Sequence, residues 1–216
     1  NHSESRRNTF GKAFNGKYEV LINEFSNNFG MDAFSHSGSA IFRYIGKKLR
    51  MAFGSGISAI KLDLEDLDNN SISNFNFLNV TPQVQVNYSP KQQTSISFNY
   101  RGTTRQPTIN QLQPLRDNTD PLNIYVGNPN LKVGFNHNFS VNFNEYKVLK
   151  QQFSYAFINY NFMQNAITQA NTIDAQGKRT YMPVNIDGNF NWYMGGSWNR
   201  QPRDKKPGYG FNANLN

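Results

Sequence analysis

A two-residue period runs through this chain and restricts it to extended strands. In Thr94–Arg101, Ile96, Phe98 and Tyr100 fall on one side of an extended backbone, and Ser95, Ser97, Asn99 and Arg101 on the other. In Phe135–Asn144, Phe135, His137, Phe139, Val141 and Phe143 oppose Asn136, Asn138, Ser140, Asn142 and Asn144. Phe190, Trp192, Met194 and Trp198 alternate with Asn189, Asn191, Tyr193 and Ser197, and Tyr209, Phe211, Ala213 and Leu215 alternate with glycine and asparagine. A helix would group apolar residues three and four apart, so the fold class is all-β.

The residues used in this pattern are unusual for a water-soluble core. Asparagine fills 33 of 216 positions, Phe 18 and Tyr 11, and mean hydropathy is −0.69. No run approaches the roughly 20 apolar residues that a membrane-spanning helix needs, which excludes a helical membrane protein. Aromatic rows facing lipid, opposite amides facing a water-filled lumen, would use this composition.

Connection lengths sharpen the reading. Short turns are expected at Gly46–Lys48, Ser89–Lys91, Tyr146–Lys150 and Asn185–Gly188. Longer connections are expected at Glu65–Ser73, Gln106–Leu131, Asn171–Arg179 and Arg200–Lys206. Short and long alternate from residue 35 onward, as in outer-membrane barrels with short turns on one rim and long loops on the other. The stretches Leu49–Leu64 and Gln151–Asn171 read as single strands longer than the usual five or six residues. Bilayer hydrocarbon accepts no hydrogen bonds, so such strands must close into a barrel. The expectation is an antiparallel transmembrane β-barrel, of which residues 35–216 supply about nine strands. Both ends read as cut edges, with the remaining strands supplied by sequence outside this segment. Residues 1–34 form an outer loop or a preceding strand region, with a short helix possible over Tyr18–Phe29. The alternation changes phase at Phe77/Leu78 and Phe157/Ile158, as a β-bulge or an exit from the bilayer would cause. Pro82 should delete one ladder hydrogen bond.

The net charge of +8 raises nucleic acid and phosphorylated lipid headgroups as partners. The cations sit in small groups, at Arg6/Arg7, Lys47/Lys48/Arg50, Lys178/Arg179 and Arg203/Lys205/Lys206, beside turns rather than along one helical face. That distribution argues against nucleic acid. With no cysteine, thiolate metal sites and cysteine nucleophiles are excluded. No phosphate loop, nucleophile elbow or paired carboxylates at a credible site occur, so no enzyme and no cofactor are expected.

One segment carries a family resemblance. A strand ends in Arg105-Gln106-Pro107; Gln111-Leu112-Gln113-Pro114 follows; and Gly127-Asn128-Pro129-Asn130-Leu131 opens the next strand. This resembles the outer-membrane β-barrel family related to TonB-dependent receptors, typical of Bacteroidetes, with Lys132-Val133 where the family has Lys-Pro. The resemblance implies a bacterial outer-membrane location and a barrel of about 22 strands around a plug. It also implies contact with outer-membrane lipid and lipopolysaccharide, and a plug domain, TonB and other outer-membrane subunits as partners. Ligand uptake is the activity it implies. A non-transporting scaffold barrel is the alternative, and a soluble glycan-binding β-sandwich is the reading from another class.

Candidate ligand-binding residues lie in the outer loop: Arg105, Arg116, Asp117, Asp120, Asn128 and Asn130. Pro and Gly-Asn-Pro set turns there, so the same residues could instead fold the loop. Asp63, Glu65, Asp66 and Asp68 form an acidic strand end that lacks the EF-hand pattern, and His2, His36 and His137 have no metal spacing. Trp192, Tyr193, Trp198, Tyr181 and Tyr209 suit an aromatic girdle or a sugar-stacking platform.

Overall fold

A computed structural model describes residues 2–22, 26–67, 70–112, 116–120, 122–202 and 207–216, with the side chains of residues 3, 5, 7, 27 and 116–120 left out. Along the chain the strands are β1 (His2–Arg7), β2 (Phe10–Lys12), β3 (Tyr18–Leu21), β4 (Asn27–Ile45), β5 (Leu49–Asp66), β6 (Ser71–Lys91) and β7 (Thr94–Arg105). After the short helix α1 (Ile109–Leu112) come β8 (Arg116–Asp120), β9 (Asn123–Val126), β10 (Gly134–Lys147) and β11 (Gln152–Gln164). The chain ends with β12 (Ala166–Ile173), β13 (Arg179–Ile186), β14 (Asn189–Arg200) and β15 (Tyr209–Leu215). Nine strands make one antiparallel sheet in the order β1-β4-β5-β6-β7-β10-β11-β14-β15. A second sheet, β12-β13-β9-β8, and the hairpin β2-β3 stand apart from it.

Register converts the alternation into continuous rows. Phe42, Phe53, Val84, Tyr100, Phe139, Tyr160 and Trp192 are successive cross-strand partners over seven strands. Two positions away, Tyr44, Met51, Val86, Phe98, Val141, Ile158, Met194 and Leu215 form a second apolar row. Phe42–Phe53 and Tyr100–Phe139 stack at 5.6 and 4.7 Å, contacts of the kind worth about 0.2–1 kcal/mol each across a ladder. None of these side chains is buried, and about half are exposed; Phe42 is 63% and Ile158 50% accessible. The row between them on the other face is Arg43, Ala52, Gln85, Asn99, Ser140, Asn159 and Tyr193. The first set of rows is the outward, lipid-facing surface and the second the lumen wall of a partial transmembrane barrel.

Several local expectations change. The phase slips are not bulges. Pairing is unbroken from Leu49↔Tyr88 to Asp66↔Ser71 and from Phe135↔Gln164 to Lys147↔Gln152. Phe75, Phe77 and Phe157 are simply aromatic residues on the lumen face. Phe157 packs there against Tyr155 and Tyr193 at 5.5 and 5.6 Å. Pro82 marks where β7 leaves β6: their pairing ends at Gln83↔Arg101, while β6 stays paired to β5 past Ser55↔Pro82. The turn expected at Ser89–Lys91 lies at Gln92–Gln93, with a register shift between Tyr88 and Lys91. The described part of residues 18–29 contains strand and no helix.

The stretch Gln151–Asn171 is two strands. Asn165 takes a left-handed backbone (φ 48°), ends β11 and sends β12 into the second sheet. Asn185–Gly188 is therefore the return from hairpin β12–β13 to β14, on the long-loop rim, and the β14–β15 connection falls on the short-turn rim. The nine-strand total agrees with expectation, but β1 belongs to the sheet and β13 does not. Turns 46–48, 92–93 and 148–151 lie on one rim, and excursions 8–26, 106–133 and 165–188 on the other.

Candidate functional site

The lumen face at mid-height is an amide surface. Asn99, Arg101, Asn138, Ser140, Asn159, Asn161, Asn191 and Tyr193 line an open groove of about 300 Å³. Each strand contributes alternate residues, so the pleat alone aims them at the same space. Asn99 Nδ2 donates to Ser140 Oγ at 3.4 Å across the β7–β10 ladder. Arg101 stands exposed beside Asn138, and Arg43 and Arg50 share its face on β4 and β5. No ion pair among the described residues engages these three arginines. This surface offers amide donors and acceptors plus cations to a polar or anionic solute.

Above the groove, loop residues fold back onto the same face. Leu112 of α1 and Leu131 are buried against Leu62 of β5, with Met31, Ala33, Phe75, Phe77, Ile109 and Ile167 around them. Leu62 is opposite Phe75 in register, which puts this cluster on the lumen side near the long-loop rim. Hydrogen bonds tie the two excursions together. Asn128 N–H donates to Gln111 O at 2.6 Å, and Asn128 Nδ2 to Pro183 O at 3.0 Å. Asn185 accepts from Lys132 N–H at 2.8 Å and donates to Lys132 O and Asn165 O at 3.0 and 2.9 Å. The result is a cap joining residues 106–133 to hairpin β12–β13.

The six residues singled out from sequence lie on three parts of the fold: the end of β7, strand β8, and the turn after β9. Arg105 ends β7 on the lumen face, exposed and opposite Gly134. Asn128 is spent on the cap, its Oδ1 accepting from Asn130 N–H at 3.0 Å, while Asn130 is exposed. Arg116, Asp117 and Asp120 lie on β8, paired to β9 in the second sheet, with side chains outside the described set. Asp63 and Glu65 point outward and Asp66 inward, and Asp63 accepts from Lys61 at 2.8 Å; Asp68 lies outside the described residues. His137 stands outward with its Nδ1 3.0 Å from Tyr100 Oη, flanked by Phe135 and Phe162. His2 meets Asp32 on the outward face, and His36 lies on that face opposite Ala59.

The aromatic cluster splits three ways. Trp192, Trp198 and Tyr209 face outward, as a girdle requires, Tyr193 faces the groove, and Tyr181 stacks on Tyr125 at 4.9 Å in the second sheet. Sequence reasoning put Arg101 on the polar side of its strand but missed Arg43 and Arg50 as lumen residues. Arg101 shares its face with Asn99, whereas Arg43 lies between Ile41 and Ile45 and Arg50 beside Ala52 and Gly54, so only the register with neighbouring strands assigns those two to the lumen.

The model of a family described as the outer membrane protein beta-barrel family matches residues 1–216. No curated protein matches the sequence. Among solved structures, the siderophore receptor PirA from Pseudomonas aeruginosa is similar over 88% of this chain and 43% of its own, at 13% identity and TM-score 0.50. A variant of the ferric enterobactin receptor PfeA from Pseudomonas aeruginosa is similar over 98% of this chain and 39% of its own, at 12% identity and TM-score 0.48. The chain thus spans about two-fifths of the length of these receptors.

Proposed function

From the premise that this chain belongs to the outer membrane protein beta-barrel family, we propose that it is part of the wall and outer gate of a TonB-dependent-receptor-type barrel that takes up a ligand across the outer membrane. The observation that carries the reading is the cap. Leu112 and Leu131 are buried on the lumen face, so the outer excursions fold in over the lumen side of the wall rather than spread over the membrane surface. A solute captured outside would meet the cap first and the groove of Asn99, Arg101, Asn138 and Asn161 next. The likeness to PirA supports the fold of the wall, and its siderophore is a property of that receptor. A plug and TonB would be needed to drive release, and both belong to this proposal.

The test is accumulation of labelled ferric siderophores, oligosaccharides and peptides in cells with and without the gene, and with Leu112→Asp in the cap. Uptake predicts that one ligand class loses accumulation in the deletion and changes in the cap variant. Unchanged accumulation of every class, with the barrel purifying in a fixed complex with other subunits, would establish the scaffold role instead.

A further inference from the structure

The chain's positive charge is concentrated at one end of the barrel wall. On the short-turn rim, Lys47, Lys48, Lys91, Lys147, Lys150 and Arg200 lie in the turns or the last strand residues beside them. The only carboxylate with them, among the described residues, is Glu145, which pairs with Lys147 at 2.9 Å. The opposite end is different. Its outward face carries Glu4, Asp32, Asp63 and Glu65 against two cations, Arg6 and Lys61, which pair with Glu4 at 3.2 Å and Asp63 at 2.8 Å.

The height of this collar identifies what it meets. The lowest wholly apolar outward row is Leu49, Tyr88, Ile96, Phe143, Ala156, Gly196 and Ala213. The outward residues just below it on β14 and β15 are Trp198 and its partner Phe211, with rings 5.9 Å apart, and Tyr209 stands one row lower, opposite Arg200. Arg200 follows and donates to Tyr209 Oη at 3.4 Å. Acyl-chain contact, aromatic belt and cation thus come in the order of bilayer hydrocarbon, interface and headgroup. Short turns of outer-membrane barrels face the periplasm.

We infer that this rim is a cationic collar that binds anionic phospholipid headgroups of the periplasmic leaflet. A diester phosphate is the complementary group for exposed ammonium and guanidinium side chains at that depth. The cations are spread over successive turns, as a continuous sheet of headgroups demands, and not gathered in one concave patch as an acidic protein would need. The inference uses the barrel's orientation and is independent of ligand uptake.

The experiment loads the full-length protein in micelles with equal phosphatidylglycerol and phosphatidylethanolamine and counts retained lipid by native mass spectrometry. The collar predicts preferential retention of phosphatidylglycerol, weakened by salt. At roughly fivefold per lysine, Lys47→Gln, Lys48→Gln and Lys150→Gln together should weaken retention about a hundredfold, and the matching arginine triple should restore it. Unaltered gel mobility before heating checks that each variant is folded. Equal retention of the two lipids by the unmodified protein overturns the inference whatever the variants do. So does a glutamine triple that holds phosphatidylglycerol undiminished, or displacement of the lipid by millimolar inorganic phosphate, which would assign the rim to free anions.

Discussion

Gly102 sits where β7 parts from β6, and a Cβ there would lie 2.6 Å from Phe135 Cζ and 2.8 Å from Pro82 Cγ. Both neighbours are constrained, one by the outward aromatic row and the other by its pyrrolidine ring. Gly102→Ala should therefore destabilise the barrel by about 1–3 kcal/mol, as overpacking does, measurable as a lower urea midpoint in lipid vesicles. His2 is a milder case. Hydrogen bonding to Asp32, then its charge, then Glu4 raise the His2 pKa above 6.5. A raised histidine value means that the imidazolium pair contributes fully below about 6.5 and is lost as pH rises through the folded-state value. Titration by NMR should place His2 above 6.5, and Asp32→Asn should bring it back down. An unmoved titration curve in that variant would contradict the pairing. At this scale the sequence was legible wherever side chain and phase agree. It misled at Phe157, where an aromatic ring on the lumen phase imitates a bulge because packing on Tyr193, far along the chain, accommodates it.

Elements were less legible where their ends depend on distant partners. Nothing local stops β11 at Gln164, since the following Ala166, Ile167 and Thr168 suit a strand, and they do form one. The break needs Asn165 at φ 48°, with its N–H donating to Asp187 Oδ1 at 2.7 Å and its carbonyl accepting from Asn185. Asparagine tolerates this conformation better than most residues, but only the return strand reveals that it is used. The loop residues chosen from sequence depend on distant partners in a related way. Gly-Asn-Pro marks a turn, and Asn128 is consumed in fastening that turn to Pro183. The cap's cohesion rests on Leu112, which is 1% exposed. Leu112→Ala should cost about 2–5 kcal/mol, spent on undocking the cap rather than unfolding the wall. Hydrogen exchange should quicken across residues 106–133 while β7 and β10 keep their protection; uniform loss in both would refute a separable cap.

On the scale of the whole molecule, the alternation settled the all-β class, and the register explains why. Apolar positions align across as many as eight strands, from Tyr44 to Leu215, only if each hairpin holds its phase. A one-residue slip anywhere would exchange lipid-facing for lumen-facing side chains. A β-sandwich would cover those rows with a second layer, yet Phe34, Phe42, Phe53, Ile57 and Leu78 are all more than half exposed. The outer cap was less accessible from sequence, because two loops separated by more than fifty residues fold as one unit (Asn128 with Pro183). The central claim is that one face of this sheet touches acyl chains and the other water. The chain has no cysteine, so spin labels can be placed singly at Ile158, Asn159, Tyr160 and Asn161 in the bilayer-reconstituted protein. Accessibility to lipid-dissolved oxygen should peak at 158 and 160, and accessibility to an aqueous nickel chelate at 159 and 161. Equal aqueous access at all four positions, or the opposite phase, would contradict the account.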